Sequence, residues 1–285
     1  MQRGFVTMAV GSRRFLEMGI DMALSLREHT DHPVALVADE EIAAVARETY
    51  PTVFDHVVLL PERFRDGRAR KYGLAAASPF DQTAFIDADC IVLGSLDHAW
   101  DALADHDAAF VGELLTTADD ENHHGFSTRR LMRRFGLDHY LKTNSGFFCF
   151  RTEAMKPIMD EMVACFVDEV RPRLKWQIVL GRWLGDEIAI GIVGGRHRLG
   201  TLPKPAEMYW PSEFDALDLD RPTKPLLHWI WPLRPDQYER LTRDARARRE
   251  ARGVHDVGSE HWAVEQDNLE RMARRRGWLE RFKVW

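Results

Sequence analysis

The first sixty residues alternate short apolar runs with segments of helical spacing, a pattern that few architectures accommodate. The runs are Phe5 to Val10, Val34 to Ala38 and His56 to Leu60. Between them, Phe15 to Glu28 carries Phe15, Met18, Ile20, Met22, Leu24 and Leu26 at helical intervals, and Ile42 to Arg47 reads as a second helix. Strands this apolar have no face left for water. The βαβαβ order therefore predicts a parallel sheet covered by helices on both sides. Ligands of such sheets sit at the carboxyl ends of the strands. The turn Gly11-Ser12 falls there, where backbone N–H groups and a glycine allow close approach of a nucleotide. First-turn glycines also occur for packing alone.

Further along, the apolar run Thr83 to Ile86 delivers Asp87-Ala88-Asp89, and a second apolar run, Cys90 to Leu93, follows at once. On extended backbone, side chains at i and i+2 share a face, so Asp87 and Asp89 converge at a strand end. Two adjacent carboxylates repel unless positive charge sits between them. No cation adjoins the pair in the sequence, so a hard divalent ion such as Mg2+ or Mn2+ is the expected source. Asp pairs are common in solvated turns, but a solvated turn is not embedded between two apolar strands.

These residues, taken in order with others, resemble a known family. Lys71-Tyr72-Gly73-Leu74, Phe85-Ile86-Asp87-Ala88-Asp89 and Leu93-Gly94-Ser95-Leu96-Asp97 look like the nucleotide-sugar core of glycosyltransferases with the GT-A fold. Within that group the likeness is greatest to family eight, which includes glycogenin and bacterial lipopolysaccharide sugar transferases. Thr143-Asn144-Ser145-Gly146-Phe147-Phe148 and Gly185-Asp186-Glu187 agree with it, and the resemblance runs over residues 4 to 230. It implies an α/β fold: one Rossmann-like nucleotide-sugar-binding domain with a mostly parallel central sheet over 1–235. A helical C-terminal extension, 236–285, follows where Arg and Glu dominate the composition.

The resemblance also implies roles. Donor-binding positions fall at Val10, Gly11, Lys71, Asp87, Ala88, Asp89 and Ser145, and a late histidine, here His228, completes the metal site with Asp87 and Asp89. The family continues with a glycine and a lysine that touch the diphosphate; here Trp229-Ile230-Trp231 follows His228, which puts that contact in doubt. A hydrogen-bonded core histidine is the bland alternative for His228. Lys71 is placed to meet the diphosphate or orient the acidic pair, whereas Arg68 and Arg70 suit a solvated basic face. The Asn144 amide both donates and accepts, which suits sugar hydroxyls; a plain polar turn is its alternative. Asp186, with Glu187 as second choice, matches an acid that contacts the sugar near the reacting carbon. An acid at a helix N-terminus also needs no function, because the dipole favours it.

A metal stabilises the charge that builds on a diphosphate leaving group without proton transfer. The expected reaction is thus metal-dependent transfer of a sugar from a nucleotide-diphosphate donor, UDP-linked by family likeness, to an unidentified glycan, lipid-linked or protein acceptor. Family eight implies retention of configuration; an inverting enzyme would need a carboxylate base, and Asp186 or Glu187 offers one. Two other classes stay open: a sugar-1-phosphate nucleotidyltransferase, for which Ala9-Val10-Gly11-Ser12-Arg13-Arg14 is a poor loop, and a non-catalytic nucleotide- or glycan-binding protein.

The chain has 285 residues and a net charge of -6, which disfavours nonspecific nucleic-acid binding. No run approaches a membrane span, no signal-peptide pattern opens the chain, and Cys90, Cys149 and Cys165 form no CxxC pair. The expectation is a reduced, cytoplasmic protein. Residues 271 to 285 interleave Arg271, Arg274, Arg275, Arg276, Arg281 and Lys283 with Met272, Trp278, Leu279, Phe282 and Trp285. That suits peripheral contact with an anionic inner membrane face; packing of the aromatic residues on the core or on a partner subunit is the favoured alternative. Residues 115 to 142 read as polar and irregular, a mobile cover on the acceptor side, with His123 and His124 too close in sequence for both to face one ion.

Overall fold

The computed structural model describes all residues except 66, 175–184, 204–206, 256, 259–260 and 282–285; the side chains of 67–69, 203 and 275–281 also lie outside the description. The opening alternation folds as expected. Strand β1 (Arg3–Ala9) leads to α1 (Arg13–Leu26), then β2 (Val34–Ala38), α2 (Glu40–Thr49) and β3 (His56–Leu59). Helix α2 starts where it does because the Asp39 side chain caps it, accepting the Ile42 N–H at 3.0 Å, with Glu40 and Glu41 in the favourable first turn.

Lys71 lies in a 3-10 turn, Gly67–Gly73, which runs into the short helix α3 (Leu74–Ala77) and then β4 (Gln82–Ile86) and β5 (Cys90–Val92). Another 3-10 segment, Asp97–Ala104, follows β5.

The stretch read as irregular is mostly regular. Strand β6 (Ala108–Thr116) extends into it, β7 (Asn122–His123) and β8 (Phe126–Ser127) form a hairpin, α4 spans Thr128–Phe135, and β9 (His139–Arg151) begins within it. Four arginines hide the amphipathic pattern of α4. Leu131, Met132 and Phe135 are buried beneath Arg130, Arg133 and Arg134, and Gly136 ends the helix with φ +65°.

Helix α5 (Thr152–Ala164) continues through a wider turn, Cys165–Val170; α6 (Glu187–His197), β10 (Gly200–Pro203), β11 (Met208–Tyr209) and β12 (Leu226–His228) follow, then α7 (Pro235–Ala251) and α8 (His261–Arg281).

The main sheet has the order β10-β6-β9-β4-β1-β2-β3. Only β9 runs against its neighbours β4 and β6; the other pairings, β1 with β2 and β4, β2 with β3 and β6 with β10, are parallel. One buried cluster, containing Phe85, Phe110, Phe148, Ile188 and Ile192, covers one face, and another, containing Leu16, Ile20, Leu36, Ile86 and Phe147, covers the other. A small second sheet, β11-β12-β5, carries a third cluster with Ile91, Leu227, Trp229 and Trp262.

Helices α7 and α8 pack on α1. Asp21 of α1, with no exposed surface, accepts from His261 Nε2 at 2.9 Å and Trp262 Nε1 at 2.8 Å through Oδ2, while Arg249 Nε faces its Oδ1 at 3.1 Å. Trp262 stacks on Trp229 at 4.5 Å between ring centres. Of the basic tail, Arg271, Met272 and Arg274 are exposed, and the residues from 275 lie outside the described side chains. Among the described residues no helix is long and apolar enough to cross a membrane. All three cysteines are unpaired and buried.

Candidate active site

Strand register assembles this site from four distant stretches. β4 pairs Ile86 with Phe147, and Asp87 N–H continues the ladder to Gly146 O at 2.9 Å, which sets Asp87 beside Asn144-Ser145-Gly146. β6 places a single residue, Val111, opposite four, Asn144 to Phe147, so β9 bulges there and turns its polar residues off the sheet. On the other side, β12 runs antiparallel to β5 with His228 opposite Cys90, and Trp229 N–H donates to Asp89 O at 2.9 Å. His228 therefore arrives next to Asp89.

The acidic pair is compensated within the protein. Lys71 Nζ donates to Asp87 Oδ2 at 2.6 Å and to Ser145 Oγ at 3.0 Å, so the cation absent from the pair's sequence neighbourhood comes from 16 residues upstream, in the orienting role expected of Lys71. His228 Nε2 lies 3.2 Å from Asp89 Oδ1 and 3.9 Å from Asp87 Oδ2. Burial raises Asp87 to about 6; Asp89 adds to the rise, and Lys71 and His228 oppose it. Burial pushes Asp89 the same way, but His228 and then Lys71 outweigh it and hold that carboxyl below its usual value. At His228 burial disfavours the imidazolium, yet Asp89 and Asp87 prevail and raise its pKa. Lys71 is likewise raised against its burial by Asp87 and Asp186.

The donor set fits a divalent cation. Asp89, Cys90 and His228 bring one donor atom each within 4.8 Å of one another. Cys90 is unsuited, because burial pushes its thiol well up and Sγ faces Gly146 O at 3.9 Å. Asp87 makes the better third partner. Asn144 Oδ1 accepts from His228 Nδ1 at 3.1 Å, which leaves Nε2 directed at the carboxylates, the outer-shell arrangement that orients a metal-binding histidine. One imidazole with two carboxylates suits Mn2+ or a similar ion. Gly146 is obligatory in this packing: a Cβ there would lie 2.5 Å from His228 Nδ1.

Asp186 sits just before α6, 4.0 Å from Lys71 Nζ and 3.5 Å from Ser145 Oγ; residues 182–184, which precede it closely in sequence, lie outside the described residues. Tyr72 OH, which sequence reasoning passed over, donates to Asp186 O at 2.8 Å and fixes this corner.

Glu187 has both oxygens engaged. Oε1 accepts Ser145 N–H at 2.7 Å, and Oε2 meets His124 Nε2 directly and His123 Nε2 at 3.5 Å. Its own burial would raise Glu187, but the two histidines hold it well below its ordinary value. Adjacent histidines thus do face one group, contrary to the expectation. His124 adopts φ +53° and Gly125 φ +86° in the hairpin turn, which swings both rings to one side. The hairpin is also not a loose cover: His123 is buried, with Nδ1 2.7 Å from Tyr140 OH and Nε2 3.1 Å from Thr143 O.

Val10, Lys71, Asp87, Ala88, Asp89 and Asp186 line one cavity of about 400 Å³. Gly11, beside it, has φ +80° and donates to Asp39 Oδ2 at 2.6 Å. Arg70 lines the same cavity and is half-buried, so it does not belong to a solvated face; the Arg68 side chain lies outside the description. A larger cavity of about 580 Å³, between the hairpin and α4, is lined by neither Asp87, Asp89, Asp186 nor Lys71.

No protein-family model matches the chain, and no curated protein matches it. Solved structures do share its fold. It is similar to the galactosyltransferase LgtC, solved with donor and acceptor sugar analogs, with TM-score 0.56 and 15% identity over 92% of this chain and 99% of that one. It is similar also to the bifunctional glycosyltransferase WbbM (TM-score 0.54, 13% identity, 86% of this chain) and to the glycosyltransferase GlyE of Streptococcus pneumoniae TIGR4 (0.52, 12%, 96%). The chain spans 49% of the WbbM chain and 64% of GlyE. The fold is therefore the α/β glycosyltransferase fold expected from the motifs, with a mostly parallel central sheet flanked by helices.

Proposed function

We propose that this protein is a metal-dependent glycosyltransferase of family-eight type, using a nucleotide-diphosphate sugar, UDP-linked by the likeness of its motifs. One observation carries the reading: Asp87, Asp89 and His228 converge at strand ends, and the acidic pair opens on a cavity shared with Lys71 and Asp186. A cavity of about 400 Å³ suits a small-molecule ligand.

Asp87, Asp89 and His228 would hold Mn2+ or Mg2+, which supplies Lewis-acid stabilisation of the departing diphosphate. The chain's own residues prepare that event. Lys71 holds Asp87 and Ser145 in register, and Asn144 fixes the His228 ring. Val10 lines the cavity while Asp39 and Arg70 hold the turn's Gly11 N–H and Val10 carbonyl, and Asp186 faces the same cavity as the metal pair, where it contacts the donor sugar. Glu187 accepts the Ser145 N–H through Oε1 and meets His124 through Oε2, so its part is to position Ser145. The likeness of the motifs to family eight favours transfer with retention, and Asp186, 4.0 Å from Lys71 Nζ and open to the cavity, is the acid that an inverting reaction would use as base.

Thermal shift with UDP, GDP and their sugars, each with Mn2+, identifies the donor, and hydrolysis of that donor with and without Mn2+ tests the reaction. Mn2+-dependent release of UDP is expected. Consumption of a nucleoside triphosphate with a sugar 1-phosphate would make the protein a nucleotidyltransferase, and binding without turnover would make it a binding protein.

A further inference from the structure

Among the cations of the cavity, Arg70 stands apart. Lys71 is engaged by Asp87 and Ser145. Arg70 donates through Nε to Arg65 O at 3.0 Å and through Nη1 to Val10 O at 3.3 Å, and among the described residues no carboxylate pairs with it. Its guanidinium lies over the first strand turn, 3.5 Å from where a Cβ on Gly11 would be, and borders the cavity that holds Asp87, Asp89 and Asp186. Two carbonyl bonds orient the group without neutralising it. A half-buried guanidinium with five donors, two of them used, is pre-formed for an anion with several oxygens.

The segment after His228 gives an independent reason for such a group. Trp229 is buried and stacked on Trp262, and Gln266 of α8 receives Trp229 Nε1–H at 3.3 Å and Leu233 N–H at 3.1 Å. The next cation, Arg234, turns away to Asp236 at 3.0 Å. Trp229 and Leu233 are thus held by the C-terminal helix, and the segment carries no cation before Arg234, so it brings no positive charge to a diphosphate.

We propose that Arg70 is a binding residue for the donor's diphosphate, taking its non-bridging oxygens beside the Val10 turn. This rests on the nucleotide-sugar reading above. Calorimetric titration of the full chain with UDP, and separately with inorganic pyrophosphate, in saturating Mn2+ tests it in wild type, Arg70→Gln and Arg70→Lys. Loss of a charge-assisted contact predicts about ten- to a hundredfold weaker binding of both ligands in Arg70→Gln. Partial recovery is expected in Arg70→Lys, with Mn2+ affinity in the absence of nucleotide unchanged. Wild-type binding that Arg70→Gln leaves intact overturns the assignment alone. Loss of Mn2+ affinity together with nucleotide affinity would instead make Arg70 a brace of the Val10 turn. A wild-type protein that binds neither ligand removes the nucleotide-sugar reading, and this inference with it.

Discussion

Replacing Gly146 with alanine tests the candidate metal site without touching a ligand. The new Cβ would lie 2.5 Å from His228 Nδ1, 2.6 Å from Cε1 and 2.9 Å from Asn144 Oδ1, all inside contact distance. Gly146 cannot retreat easily, since its N–H donates to Asn144 Oδ1 at 2.8 Å and its carbonyl receives Asp87 N–H at 2.9 Å. The imidazole must therefore move, breaking its bond to Asn144 and its 3.2 Å approach to Asp89. Overpacking of this kind costs about 1–3 kcal/mol, and each kcal/mol lowers Tm by about 2–4 °C in a domain of this size. Disturbing the partner that orients a metal-binding histidine lowers metal affinity by about ten- to a hundredfold. Calorimetric Mn2+ titration of Gly146→Ala, His228→Ala and the double variant measures this. Because both changes act on one ligand, the double variant should bind Mn2+ no more weakly than His228→Ala alone. A Gly146→Ala protein with wild-type Mn2+ affinity, or losses that simply add, would refute the assignment of His228.

Asp89→Ala should lose Mn2+-dependent UDP binding by thermal shift yet keep its circular dichroism spectrum, because the Asp89 side chain lines a cavity and packs in no apolar core. Mn2+ affinity should rise with pH and release protons: His228 is raised and Asp87 stands at about 6 in the metal-free protein, so both hold protons that the ion must displace. Calorimetry in two buffers of different ionisation enthalpy reads that release, and a pH-independent affinity from 5.5 to about 8 would contradict it. Asp186→Asn should depress turnover of the donor while sparing UDP affinity; equal losses in both would give Asp186 a structural or nucleotide role. Asp21→Ala leaves His261 and Trp262 without their buried acceptor and Arg249 without its counter-ion, and should cost about 3–5 kcal/mol in urea unfolding. An unchanged midpoint would show that α7 and α8 are held by their apolar contacts alone.

The sheet and the acidic pair were legible in the sequence because both are local patterns. Uninterrupted apolar runs such as Val34 to Ala38 exclude an open face, and Asp87 and Asp89 share a side by the period of extended backbone. Helix α4 was not legible, since its arginines outweigh Leu131, Met132 and Phe135 in any reading of polarity, and burial alone reveals the stripe. Nor could spacing show that β9 is one long strand with a bulge, because the register belongs to β6 as much as to β9.

The candidate site divides in the same way. Residue types and their order named Asp87, Asp89, Asn144, Asp186 and His228 as a set. Tertiary structure alone decided how they relate. Lys71 neutralises Asp87 across 16 positions, Asn144 orients His228 across 84, and Glu187 is bound by a hairpin 63 residues away. Arg70 reads as one more basic residue until the Val10 carbonyl, 60 positions earlier, turns it into the cavity. Short-range pattern records which face a side chain takes. Which partner satisfies its charge depends on chain segments brought together by strand pairing, and no local periodicity carries that information.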